Sequence, residues 1–143
     1  MIRKMMWLDP AVCDNIQKYF DEGEFIDGSN TGTDNRKIKR TQQLKDDDSP
    51  IELWEDNLWK SSFISALCVK RTTGPMFVKY TESDGGHYDF HNDLPIMNRN
   101  LRSDYVMITA INSPDEYDGG DLQVRFGSET YSYRLNKREC ILF

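Results

Sequence analysis

Cysteine is scarce in this 143-residue chain and histidine scarcer, with three of the first and two of the second. Cys13, Cys68 and Cys140 are odd in number and form no C-x-x-C pair. That gives a zinc knuckle no support, and it fits free thiols in a reducing cytoplasm better than a disulfide framework. No apolar run approaches the ~20 residues of a membrane span. The first eight residues carry Arg3 and Lys4 but no apolar stretch of signal-peptide length, and Asp9-Pro10 cuts them short. We therefore expect a soluble cytoplasmic protein without a membrane partner. Positive charge is also short: 18 basic against 24 acidic residues give −6. Such a chain gains little from counterion release, so nucleic acid is disfavoured as a partner. Internal repeats and low-complexity tracts are absent.

What is present suffices for one packed domain. Hydrophobic residues make up 38% and aromatics 12%, and the aromatic share leans toward β structure. Asp9-Pro10 reads as N-cap and first helical residue. Val12, Ile16, Tyr19 and Phe20 then recur at helical spacing, which predicts a helix from residue 10 to about 21. Residues 22–48 are polar and read as loop and irregular strand. Within them, Arg36 to Arg40 is a basic run, read as a solvated face in preference to a docking patch. Asp46-Asp47-Asp48 favours the positive end of the helix that follows. Ser49-Pro50-Ile51-Glu52 reads as N-cap, first turn and capping box of a helix ending near Lys60, with Trp54 and Leu58 on its buried face. Trp54, Trp59 and Phe63 read as core.

From there the pattern becomes β. Short runs at 63–71, 76–81, 88–93, 105–111, 122–126, 130–135 and 140–143 are separated by turn residues such as Asp84-Gly85-Gly86 and Gly119-Gly120. The expected architecture is mainly β with N-terminal helices, a sandwich or jelly roll. Residues 1–60 form its helical and loop region and 61–143 its β core. The run Ile141-Leu142-Phe143 has no turn after it, so we expect a final edge strand or further sequence downstream.

The chemistry concentrates in Tyr80 to Asp93. Residues two apart on a strand point the same way, about 7 Å from each other. His91 and Asp93 thus project together, able to converge on one metal as two thirds of a 2-His-1-carboxylate triad. On spacing alone, a structural or surface pair is the commoner meaning of H-x-D. His87 is the remaining histidine; extended chain puts it about 13 Å from His91, too far to share an ion. It reads as a loop-edge side chain. A helical zinc site at 87 and 91 fails, because position 88 is Tyr and not the Glu of H-E-x-x-H, and Gly85-Gly86 opposes a helix.

Tyr80…Gly85…Tyr88-x-x-His91-x-Asp93 resembles the Y-x-x-G-x-x-Y-x-x-H-x-D element of prolyl 4-hydroxylase-like oxygenases, with about two extra residues between Tyr80 and Gly85. Arg102-Ser103-Asp104 and the stretch from Ser113 to Leu122, with Asp118-Gly119-Gly120-Asp121 inside it, resemble the bacterial PKHD-type hydroxylases. So does Asp27-Gly28…Thr31-Gly32…Ile38-Lys39…Gln43-Leu44. The resemblance runs from about residue 7 onward. It implies a double-stranded β-helix (jelly roll) that binds Fe(II) and the co-substrate 2-oxoglutarate, with ascorbate as reductant. The implied reaction is hydroxylation of a C–H bond of a prolyl, other peptidyl or small-molecule substrate by dioxygen, releasing succinate and CO2. By the same resemblance His91 and Asp93 are metal ligands, Tyr80 lies near the co-substrate, and Tyr88 walls the pocket. The family's distal His, and the Arg or Lys that holds 2-oxoglutarate, would follow the strand resembled by Cys140 to Phe143. We therefore expect a C-terminally truncated oxygenase, weakly active or inactive, prone to self-association through an open sheet edge. Two alternatives are a non-catalytic jelly-roll binding module and a half-site completed by another polypeptide.

Overall fold

A computed structural model describes residues 2–31, 36–46, 49–97 and 100–143. In chain order the elements are β1 (Arg3–Met6), α1 (Pro10–Glu22), β2 (Phe25–Asp27), β3 (Lys39–Arg40), β4 (Gln42–Leu44), α2 (Ile51–Lys60), α3 (Ser62–Ala66), β5 (Val78–Lys79), β6 (His87–Tyr88), β7 (Ile96–Met97), β8 (Leu101–Arg102), β9 (Met107–Thr109), β10 (Leu122–Phe126), β11 (Glu129–Tyr133) and β12 (Glu139–Leu142). One-turn 3₁₀ helices cover Gly28–Thr31 and Pro114–Glu116. The chain is β-rich with its longer helices near the N-terminus.

Among the described residues five small antiparallel sheets result. In the first, β12 lies between β1 and β9, with Met5 opposite Cys140 and Cys140 opposite Thr109. Successive strand residues face opposite sides of a sheet. Cys140 and Ile141 are both fully buried, so β12 is covered on both faces. The second sheet runs β2-β4-β5, and β3-β6, β7-β8 and β10-β11 are two-stranded. The main core gathers Leu8, Cys13, Ile16, Leu44 and Phe77, with Trp7, Val12, Phe20, Leu53 and Trp54 packed against it. Trp7 and Trp54 meet edge to face, and the Trp7 indole N–H donates to Thr109 Oγ1 at 2.9 Å. That bond ties the helical layer to the first sheet.

Local chemistry explains the helix ends. Asp9 Oδ1 accepts from the N–H groups of Ala11 and Val12, so α1 begins at Pro10 as expected. The second start differs by one residue. Ser49 donates its hydroxyl to the carbonyl of Lys45 and Pro50 takes the cap position, so no Ser49–Glu52 capping box forms. Asp47 and Asp48 lie outside the described residues. Of the residues assigned to the core, Trp59 is 48% exposed because Leu58, one helical step away, occupies the buried face of α2. Tyr19 is exposed on α1 for the same reason.

The expected strand at 63–71 is a correction. Ser61 caps a further helical turn by accepting from Ile64 N–H at 3.5 Å, only Ile64 is buried there, and Cys68 ends the segment at φ +55. The expected strand at 88–93 is paired only at its start, in β6. Strand β1 and the β7–β8 hairpin were not read from the sequence. Gly119 and Gly120 do adopt positive φ, +64 and +69, which suits a tight turn. Among the described residues no helix is long and apolar enough to cross a membrane.

Cys13 and Cys140 are buried and Cys68 is exposed, all three as free thiols. Burial pushes the Cys140 thiol up to about 12 and raises Cys13 as well. Thiolate is the reactive form. A disulfide exchange reagent at mildly alkaline pH should therefore modify Cys68 quickly and the other two only after denaturation. Cys68→Ser should remove the fast phase; a fast phase that persists in that variant would contradict the burial of Cys13 or Cys140.

Candidate metal centre

The site is built by a chain reversal between β5 and β6. Gly86 N–H donates to Thr81 O at 2.8 Å and Gly85 N–H to Glu82 O at 2.9 Å, with Gly85 at φ +60. A Cβ at Gly86 would lie only 2.9 Å from Thr81 N and 3.0 Å from Thr81 O, so glycine is needed where the two backbone stretches meet. Asp84 Oδ2 locks the turn by accepting from Thr81 Oγ1 and Gln42 Nε2, both at 2.6 Å. The reversal delivers His87 and Tyr88 to β3, where Lys39 faces Tyr88 and Arg40 faces His87.

Asp89 then fixes the chain beyond the ladder. Its N–H donates to Ile38 O, its Oδ2 accepts from Ile38 N–H at 2.8 Å, and its Oδ1 pairs with His87 Nε2 at 2.9 Å. The Ile38 N–H first and His87 second hold its carboxyl below the usual carboxylate range. The carbonyl of Asp89 takes His91 Nδ1 at 2.8 Å. Since a carbonyl can only accept, Nδ1 carries a proton, and Nε2 is the nitrogen left to face a ligand. The His91 ring stacks on Tyr88 at 3.8 Å between centroids, 16° from parallel. Held at two points, the imidazole turns Nε2 toward Asp93 Oδ1 at 3.4 Å.

His91 and Asp93 thus converge, although not through strand pleating: residues 89–93 have no regular structure. An imidazole nitrogen and a carboxylate oxygen face each other, an arrangement satisfied by a shared cation, a proton or a metal ion. Donors about 2.1 Å from one ion and at right angles to it stand about 3 Å apart. The observed gap is close to that, and an imidazole with a carboxylate suits ferrous iron. A metal-binding histidine also characteristically donates its other N–H to a carbonyl, as His91 does.

His87 is turned to Asp89 and does not join the pair. Among the described residues no group of three His, Cys, Asp or Glu side chains is placed to hold a metal ion. Tyr80 is half exposed, yet burial first and the Tyr88 phenol second raise its pKa, so the two tyrosines share one neighbourhood. Tyr88 is the support on which His91 rests. Sequence reasoning passed over Asp89, whose role depends on backbone partners. It also read Lys39 as part of a solvated run, whereas its ammonium lies 5.2 Å from the Tyr88 ring centroid. Lys39 is half-buried between exposed Ile38 and Arg40, a difference that the order of residues in the run does not carry.

No family model matches the chain. Among curated proteins, a PKHD-type hydroxylase of Synechococcus sp. (strain CC9311) is 30% identical over 146 residues, covering 98% of this chain and 66% of the relative. A PKHD-type hydroxylase of Janthinobacterium sp. (strain Marseille) is 30% identical, covering 90% of this chain and 61% of its own length. One of Pseudoalteromonas atlantica (strain T6c / ATCC BAA-1087) is 32% identical, covering 86% and 58%. The chain belongs to the PKHD-type hydroxylase family. This family member spans 58% to 66% of the length of those three relatives. The motifs around His91 and Asp93 therefore sit in a chain related along most of its length to named hydroxylases.

In this PKHD-type chain the reversal at Gly86 sets the position of everything after it. Gly86→Ala should cost about 1–3 kcal/mol, because the added methyl meets backbone and not a flexible side-chain end. Urea denaturation would measure the loss, and an unchanged midpoint would show that the close approach to Thr81 is not required.

Proposed function

We propose that the chain carries the metal-binding half of an Fe(II)- and 2-oxoglutarate-dependent dioxygenase, with His91 and Asp93 as two of the iron ligands. The observation that carries this reading is the oriented imidazole: Nδ1 committed to Asp89 O, Nε2 left facing Asp93 Oδ1 at 3.4 Å. Family membership supports it from a separate direction. The strands would be those of a double-stranded β-helix. Ferrous iron, when bound with 2-oxoglutarate and dioxygen, supplies the oxidising power to hydroxylate an unactivated C–H bond, with succinate and CO2 as co-products. His91 presents one nitrogen donor and Asp93 one oxygen donor. Tyr88 keeps the imidazole plane fixed, and Tyr80 walls the side on which the co-substrate would lie. Ascorbate as reductant and a peptidyl, prolyl or small-molecule substrate belong to the same reading, as does a cytoplasmic setting, where the three thiols stay reduced.

Two protein ligands hold iron less firmly than three, so these 143 residues alone should bind it weakly and turn over little. Titration with Mn(II), a redox-inert stand-in, should give weak binding that His91→Ala and Asp93→Ala each abolish. Fe(II)-dependent conversion of 2-oxoglutarate to succinate should be slow or undetectable. Binding that survives both substitutions would remove the metal assignment, and rapid succinate formation would refute the two-ligand limit.

A second reading, a non-catalytic jelly-roll binding module, is favoured by the lack of a three-ligand cluster among the described residues. Absence of any Mn(II) binding to the parent chain would select it. In either reading β1 and β9 are sheet edges among the described residues, and unpaired edges invite association. Light scattering at high concentration should show oligomers; a clean monomer counts against that.

A further inference from the structure

We infer that Arg125, seated on Phe90, receives a carboxylate of the substrate beside the candidate metal pair, so that the preferred substrate is an acidic peptide. The inference rests on the metal reading above and gives it a substrate class, through residues to which the family resemblance assigns no role. Phe90 lies in the chain between Asp89, which orients the imidazole, and His91 itself. The guanidinium carbon of Arg125 sits 3.9 Å from the centroid of the Phe90 ring. The hairpin of β10 and β11 is thereby seated on the residue next to the candidate ligand.

Alternation decides which face of the hairpin meets that residue. Leu122, Val124 and Phe126 stand opposite Tyr133, Tyr131 and Glu129, and Val124 is buried. Gln123 and Arg125 stand opposite Ser132 and Thr130 on the other face, where all four are exposed. Phe90 is thus an aromatic wall against an otherwise polar face.

The guanidinium is held at two points and open at a third. Its flat side lies on the Phe90 ring, and its Nε–H donates to Thr130 Oγ1 at 3.4 Å. The two Nη groups engage no acceptor among the described residues. The hairpin's own carboxylates are committed elsewhere. Asp121 takes Arg134 at 3.1 Å and the Ser132 hydroxyl at 3.2 Å, and Glu129 takes the Tyr131 phenol. A planar fork fixed on an aromatic face presents N–H donors in the geometry that a carboxylate accepts with both oxygens. About 7 Å along the same face, the Gln123 side-chain amide is also without a partner among the described residues. It offers both donors and an acceptor, which suits the peptide groups that flank an acidic side chain. A dication balanced by Asp93 alone would leave positive charge nearby and add to the attraction.

The test titrates two capped tripeptides, Ala-Asp-Ala and its isostere Ala-Asn-Ala, into the isotope-labelled full chain, without metal and with Mn(II). Backbone amide resonances report the contact. The Asp peptide should bind about fivefold more tightly than the Asn peptide and shift the signals of Phe90 and Arg125. Arg125→Met should abolish the preference, and Arg125→Lys should recover only part of it because the fork is lost. Arg71→Met, at an exposed position elsewhere, should leave it alone, with circular dichroism confirming that each variant folds. With Mn(II) bound, paramagnetic broadening of the Asp peptide should place it beside the metal pair, and excess 2-oxoglutarate should not displace it. Failure of Mn(II) to bind the parent would sink the metal reading only, and the metal-free preference then decides for Arg125. Equal affinity for the two peptides, binding of neither, or a preference that survives Arg125→Met would overturn the inference. So would an Asp peptide that bound Mn(II) leaves sharp or that 2-oxoglutarate displaces.

Discussion

Asp89 commits every polar group it owns. Its N–H and one carboxylate oxygen bind the two backbone groups of Ile38, its other oxygen holds His87, and its carbonyl holds His91. One residue thereby joins a two-residue ladder, a loop and the candidate metal ligand. The consequence is geometric. A short ladder of β3 with β6 would leave residues 89–93 free to choose a direction, and the Asp89 contacts choose it for them. Tyr88 contributes the second constraint by stacking on the imidazole, so ring plane and ring rotation are both set before any cation arrives. Preorganisation of this kind is what separates a binding site from two acidic and basic groups that happen to be near each other.

Much of this was readable in the residues. Asp9-Pro10 marked the start of α1, alternation marked β10 and β11, and the spacing of His91 and Asp93 marked the pair. What the sequence could not show was why the pair converges. The expected cause was strand pleating; the actual cause is a carbonyl and an aromatic ring, neither of which leaves a periodic trace. The helix at Ser62–Ala66 was misread because Phe63 and Ile64 are good strand formers, and the Ser61 hydroxyl tipped the balance toward another helical turn. Strand β1 escaped notice because Arg3-Lys4-Met5-Met6 has no alternating pattern, and its pairing partner lies more than 130 positions away. Lys39 was lost inside a run of like charges whose members face different surroundings.

Family membership and local geometry bear on different questions. The relatives say what kind of protein this is, and they do so across most of the chain. The loop from Tyr80 to Asp93 says which atoms are in position to act. Two candidate donors in position, with the other histidine engaged by Asp89, would make up part of a coordination sphere in the proposed reading. A chemist would expect such a sphere to leave most of the ion's positions to water and small ligands.

The first sheet has a kinetic consequence. Because β12 pairs with β1 on one side and β9 on the other, residues 3–6 cannot find their hydrogen-bonding partners until residues 139–142 exist. Contacts so distant along the chain make closure slow. On a ribosome, α1 and α2 would emerge long before the strand that completes the layer beneath them, and until then Arg3–Met6 would present an unpaired edge to whatever chain or chaperone is at hand.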